Sequence, residues 1–169
     1  MSNPPSRTEP SWAEEAAQPS PGRELPENLH SQILELAERG DELAGQGAYP
    51  KAIDSYREAV DLLPRPRAHW NAATWLLVAI ADAQFLSGDF AGAEVSLENA
   101  KFCPGAIGNP FVHMRLGQSL LELGNRDRAL DELARAYMTA GREIFEDEDP
   151  KYLAELSKVL QPPSGQDSL

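Results

Sequence analysis

The chain has 169 residues and a formal net charge of −12, from 15 Lys and Arg against 27 Asp and Glu. That balance argues against nucleic acid as a partner, because a phosphate backbone requires clustered cations, and it favours solubility and fast capture of basic proteins. Cys103 is the only cysteine, which excludes an internal disulfide and a thiolate metal cluster and fits a reduced compartment.

Residues 1–26 carry six prolines with many Ser, Glu and Gln and few aliphatic side chains. Such a stretch cannot offset its ordering entropy, which predicts a disordered tail. Trp12 stands out there as a candidate docking residue, with an incidental aromatic as the plain alternative. No basic segment followed by an apolar run opens the chain, so no secretory signal and a cytoplasmic location are expected. From Asn28 to Gln46 the pattern predicts a long first helix.

A glycine and two alanines then recur at one spacing three times: Gly47/Ala52/Ala59, Gly88/Ala93/Ala100 and Gly124/Ala129/Ala136. Seven residues before each glycine lies another small residue, Gly40, Ala81 or Gly117. Repetition on this scale predicts stacked helical hairpins that present a surface to another macromolecule. The apolar run from Trp70 to Leu86 is broken by Asn71, Thr74, Asp82 and Gln84, and so reads as a buried helix rather than a membrane span. Pro150 opens a last helix, PKYLAELSKVL, whose apolar stripe of Tyr152, Leu153, Leu156, Val159 and Leu160 suits a terminal cap. Residues 161–169, QPPSGQDSL, are expected to fray.

The first copy, RGDELAGQGAYPKAIDSYREAVDLLP, resembles the tetratricopeptide repeat, with small residues at the helix contacts, Pro50 in a first turn and Pro64 after the second helix. The resemblance implies an all-α solenoid over residues 27–160, with repeats at about 33–66, 74–107 and 110–143 and a capping helix at 150–160. The second and third copies depart from the pattern, with Gln84 and Arg126 where aromatics are usual. His113 takes the slot of a core tryptophan.

In that family the first helix of each hairpin lines a concave groove. Carried over by register, the groove residues are Leu34, Ala37, Asp41, Ala44 and Gly45, then Trp75, Val78, Asp82, Phe85 and Leu86, then Phe111, Met114, Gln118, Leu121 and Glu122. The cationic clamp that some relatives use for acidic chain termini is absent from these positions. The groove instead suits an apolar helix or strand with a basic group for Asp41 and Asp82. Coverage by a tail or by the last helix, or dimerisation through the groove, is the alternative. A second candidate surface is the acidic flank Glu143, Glu146, Asp147, Glu148 and Asp149, although acidic residues before Pro150 also suit a helix N-terminus.

The three histidines, His30, His69 and His113, have no partner at metal-ligand spacing, and no phosphate loop or nucleophile motif appears. A non-enzymatic protein-binding module without cofactor, nucleic acid or membrane partner is therefore expected. The third repeat and cap resemble short bacterial tetratricopeptide proteins that accompany polymorphic toxins, which implies an immunity protein for a cognate toxin. The alternatives are a chaperone for a secreted protein, of the type III secretion class, and a general assembly scaffold.

Overall fold

The computed structural model describes residues 9–20 and 24–160; the remaining parts of the two expected tails lie outside the described residues. Among the described residues the secondary structure is helical throughout. A short α1 (Trp12–Ala16) precedes three hairpins, α2 (Glu27–Gly45) with α3 (Tyr49–Asp61), α4 (Asn71–Leu86) with α5 (Phe90–Ala100), and α6 (Pro110–Glu122) with α7 (Arg126–Ala140). A closing α8 follows (Pro150–Ser157), and 3-10 turns at Arg67–His69 and Arg142–Phe145 join α3 to α4 and α7 to α8.

The recurring glycine is a backbone requirement. Gly47, Gly88 and Gly124 have φ of +74°, +85° and +79°, a left-handed conformation that a Cβ disfavours. Each terminates its helix in the same way. The glycine N–H donates to the carbonyl three residues back, and the next N–H donates to the carbonyl five back, as in Ala48 to Leu43, Asp89 to Gln84 and Asn125 to Leu120. A Cβ at these three glycines would meet nothing within 4 Å, so conformation alone selects glycine. Gly88→Ala is accordingly expected to lower stability by about 1–2 kcal/mol, read as a lower urea midpoint at unchanged slope.

The other small residues act by packing. A Cβ at Gly40 would lie 2.3 Å from a ring carbon of Tyr56, and one at Gly117 would lie 2.7 Å from Leu133 Cγ. The six repeat alanines, and Ala81, are fully buried. They let the paired helices approach until Leu76, Leu97, Leu116, Leu120 and Leu133 close the core between successive hairpins. At the C-terminal end Tyr152 and Leu156 are buried against Met114, Leu130 and Leu133. Val159 stays exposed, because the helix stops at Ser157.

His113 packs, as its register suggests. Its Nδ1 is 2.6 Å from Glu132 Oε2 and its Nε2 is 2.6 Å from the Ile107 carbonyl, tying the α5–α6 loop to α7. Burial opposes ionisation of Glu132, but hydrogen bonds from Lys101 and His113 outweigh it and hold the carboxyl below its ordinary range. Cys103 is buried, and burial, reinforced by the charge of Glu15, pushes its thiol up to about 12.

The stretch read as a disordered tail contains ordered structure. Ser11 caps α1 with a reciprocal bond to Glu14, and Glu15 is 1% exposed. Arg65 donates to Glu15 Oε1 at 2.5 Å, and the backbone N–H groups of Arg67 and Ala68 donate to Oε2 at 2.5 and 3.3 Å. The Arg67 guanidinium lies 5.2 Å from the centre of the Trp12 ring. Composition could not reveal this, because the partners that offset the ordering entropy lie about fifty residues away.

Candidate protein-binding groove

The face carried by α2, α4 and α6 divides into an open half and a closed half. In the open half Leu34, Trp75 and Leu86 are 40%, 37% and 49% exposed. Val78 lies half-buried between them. Asp41 is exposed and accepts a 2.7 Å hydrogen bond from the Tyr56 hydroxyl. Beside Trp75 a pocket of 400 Å³ is lined by Leu25, His30, His69, Trp70 and the Glu24 side chain. Aromatic and aliphatic surface left in water at this density is unfavourable by about 25 cal/mol per Å², and it borders carboxylates rather than cations.

The closed half is covered by the chain itself. Met114 and Gln118, expected on the open groove, are 1% and 0% exposed. Phe85, Phe111 and Leu121 are half-buried against the same cluster as α8. The Tyr152 ring sits 6.4 Å from that of Phe85, and its hydroxyl donates to Glu122 Oε1 at 2.6 Å. Burial works against the Glu122 charge, yet Lys151 and Tyr152 together hold its carboxyl below the usual range. Coverage by the last helix, the alternative drawn from sequence, therefore describes this half.

At the centre lies a residue the register left out. Arg115 is 5% exposed, and its guanidinium is 4.4 Å from the Phe85 ring centre and 5.1 Å from that of Phe111. It forks onto Glu148 at 3.0 and 3.2 Å and donates to Gln118 Oε1 at 2.6 Å, while Gln118 Nε2 donates to Glu148 at 2.9 Å. On its other side Arg115 Nε is 2.8 Å from Asp82 Oδ1. That contact is an ion pair without hydrogen-bond alignment, and both atoms are otherwise unsatisfied. Burial pushes the Asp82 carboxyl above its ordinary range; Arg115 opposes this, and Glu148 adds to it.

The register positions carry no cation, yet Arg115 lies among them and pairs with the chain's own acids. The signal was present: Arg115 is the only Lys or Arg in the α6 segment PFVHMRLGQSLLE, set among residues that bury. A cation there needs a buried anion. The acidic flank also divides. Glu148 turns inward and Asp149 caps α8 by accepting from the Lys151 N–H, whereas Glu143, Glu146 and Asp147 are exposed.

Neither a protein-family model nor a curated protein matches the chain. Solved structures do. The second tetratricopeptide domain of human RPAP3, in complex with the HSP70 peptide SGPTIEEVD, aligns at TM-score 0.59 and 20% identity over 79% of this chain and 99% of that one. The Yersinia enterocolitica type III secretion translocator chaperone SycD aligns at TM-score 0.59 and 16% identity, covering 75% and 89%. The Sgt2 tetratricopeptide domain of Aspergillus fumigatus aligns at TM-score 0.58 and 19% identity, covering 88% and 93%. At these identities the likeness concerns architecture, and the fold is the helical-hairpin repeat of tetratricopeptide domains.

Proposed function

We propose that this chain is a non-enzymatic protein-binding module whose open half-groove seats an apolar segment carrying a basic residue. The observation that carries the reading is the exposure of Trp75, Leu34 and Leu86 on one face that also carries the exposed Asp41, with Asp82 paired to Arg115 behind it. Apolar anchors supply affinity, and the carboxylates select charge and register. The formal charge of −12 favours the same class of partner.

Selection from a displayed library of amphipathic helices tests this. Retained sequences are expected to pair Leu, Ile or Phe with Lys or Arg, and Trp75→Asp is expected to abolish retention; because the ring is only 37% exposed, urea unfolding first establishes that the variant remains cooperatively folded. Enrichment of acidic sequences, or retention unaffected by Trp75→Asp, would refute the reading.

Two forms of it differ in the state of the partner. Neutralisation of a toxin calls for tight one-to-one binding of a folded basic protein, to which Glu143, Glu146 and Asp147 can contribute because they remain exposed. A secretion chaperone holds an unfolded segment in the groove, so a short peptide would bind as well as the whole partner. Titration of the peptide against the intact partner separates the two.

A further inference from the structure

Beside the groove pocket, with which it shares His69, the connector between α3 and α4 is built as a receptor. Arg65, Arg67 and the consecutive backbone N–H groups of Arg67 and Ala68 converge on the two oxygens of Glu15. Arg67 also lies against Trp12, and His69 Nε2 is 2.8 Å from the Gln18 carbonyl. What this seat recognises is a short helix with its own cap: Ser11 at the N-cap, Trp12 in the first turn, Glu14 closing the capping box and Glu15 entering the seat. Trp12, Glu15 and the cap act together, since the cap holds the helix, the ring covers Arg67, and a carboxylate 1% exposed accepts from Arg65 and two backbone N–H groups while Glu9 pairs with the same arginines from the rim.

Between Gln18, whose carbonyl meets His69, and Leu25, which packs on the core, residues 19–24 form the tether that joins the ligand to the body of the chain. Six residues reach up to about 20–22 Å when extended, enough for the same helix to reach a molecule lying alongside. The recognised pattern, a capped Trp with Glu three residues on, is one that every copy of this chain carries. We infer that the α3–α4 connector is a second protein-binding site, adjoining the groove pocket at His69, and that its partner in trans is the N-terminal helix of a second copy, docked reciprocally through Glu15. Docking in cis competes at an effective concentration of about 1 mM, so exchange is concentration-dependent, and monomer and exchanged dimer have the same contacts.

Complementation tests this with full-length chains. Glu15→Gln leaves the seat intact and weakens the helix that fills it; Arg65→Met combined with Arg67→Met leaves the helix intact and strips the seat of its cations, so that only the Arg67 and Ala68 N–H groups still face the carboxylate. Each variant alone is expected to stay monomeric by sedimentation, and an equimolar mixture at up to about 1 mM, matching the tether's effective concentration, is expected to associate one to one. In a second arm, a labelled peptide of residues 9–20 binds the Glu15→Gln chain, and the peptide carrying Glu15→Gln binds at least about tenfold more weakly, as expected for loss of charge-assisted hydrogen bonds. The peptide arm does not depend on the folding of the doubly substituted chain. No saturable peptide binding, or equal binding of the unsubstituted peptide and the peptide carrying Glu15→Gln, overturns the site; peptide binding without association of the two chains overturns the second copy as its occupant. Neither outcome bears on the groove, where Trp75→Asp is read separately.

Discussion

Replacing Arg115 with methionine is expected to lower stability by about 3 kcal/mol and to release α8 from the groove. Removing one member of a buried ion pair leaves the others uncompensated, at a cost of about 3–5 kcal/mol. The lower end applies here because the Asp82 and Glu148 side chains are 34% and 19% exposed and regain some water. Methionine keeps the bulk between Phe85 and Phe111, so the loss reports charge rather than a cavity. Adding Asp82→Asn and Glu148→Gln to Arg115→Met should recover much of the deficit, since no buried charge is then left unpaired.

The pH dependence has a definite sign. Without the guanidinium that opposes it, burial beside Glu148 lifts the Asp82 carboxyl further above its value in the unfolded chain. The folded variant then binds more protons than the unfolded one, so its stability falls as pH rises. The gap between Arg115→Met and the parent should therefore narrow as pH drops from neutrality toward about 4, the ordinary carboxylate range. Urea unfolding at several pH values measures it; a gap that is constant with pH would mean that the two carboxylates do not share the Arg115 site.

The repeat was legible because its residue choices are forced locally. A left-handed φ at Gly47, Gly88 and Gly124 and full burial at the six alanines can each be met by few side chains, so the same letters return at the same spacing. The open half of the groove followed from register, because Leu34, Trp75 and Leu86 face outward from helices whose phase the glycines set. What register could not provide was the closed half. Met114 and Gln118 point to the same face as Trp75, and only the path of the chain after Gly141 decides that they are covered.

The charged residues were the least legible. Glu15 and Glu148 read as members of acidic stretches, yet each is drawn inward by arginines remote in sequence, Arg65 and Arg67 for the first and Arg115 for the second. Charge runs near chain ends are usually solvated, and composition alone supports that reading. The available sign lay on the other partner: Arg115 inside a burying helix, and two arginines flanking a proline in a short connector, are cations whose positions call for anions.

Leu133→Ala is expected to cost about 2–5 kcal/mol, as other fully buried leucines do when truncated, and its coupling to Gly117 distinguishes two kinds of close contact in this fold. Gly117→Ala alone should cost about 1–3 kcal/mol, since the new methyl would lie within 3 Å of Leu133 Cγ, Cδ2 and the Leu133 backbone nitrogen. Combining the two substitutions removes the clash with Cγ and Cδ2 and lets the methyl fill part of the cavity, but the backbone nitrogen stays where it was. Compensation should therefore be partial. At Gly40 the three nearest atoms all belong to the Tyr56 ring, so Gly40→Ala with Tyr56→Leu has no backbone obstacle. It should show the larger favourable coupling in a double-mutant cycle, within the range of about 0.5–3 kcal/mol seen for contacting residues. Equal coupling in the two pairs would mean that α6 and α7 can separate to admit the methyl. The hairpin spacing would then be set by side-chain volume, and the small residue at this register would be a preference of packing rather than a limit imposed by the neighbouring backbone.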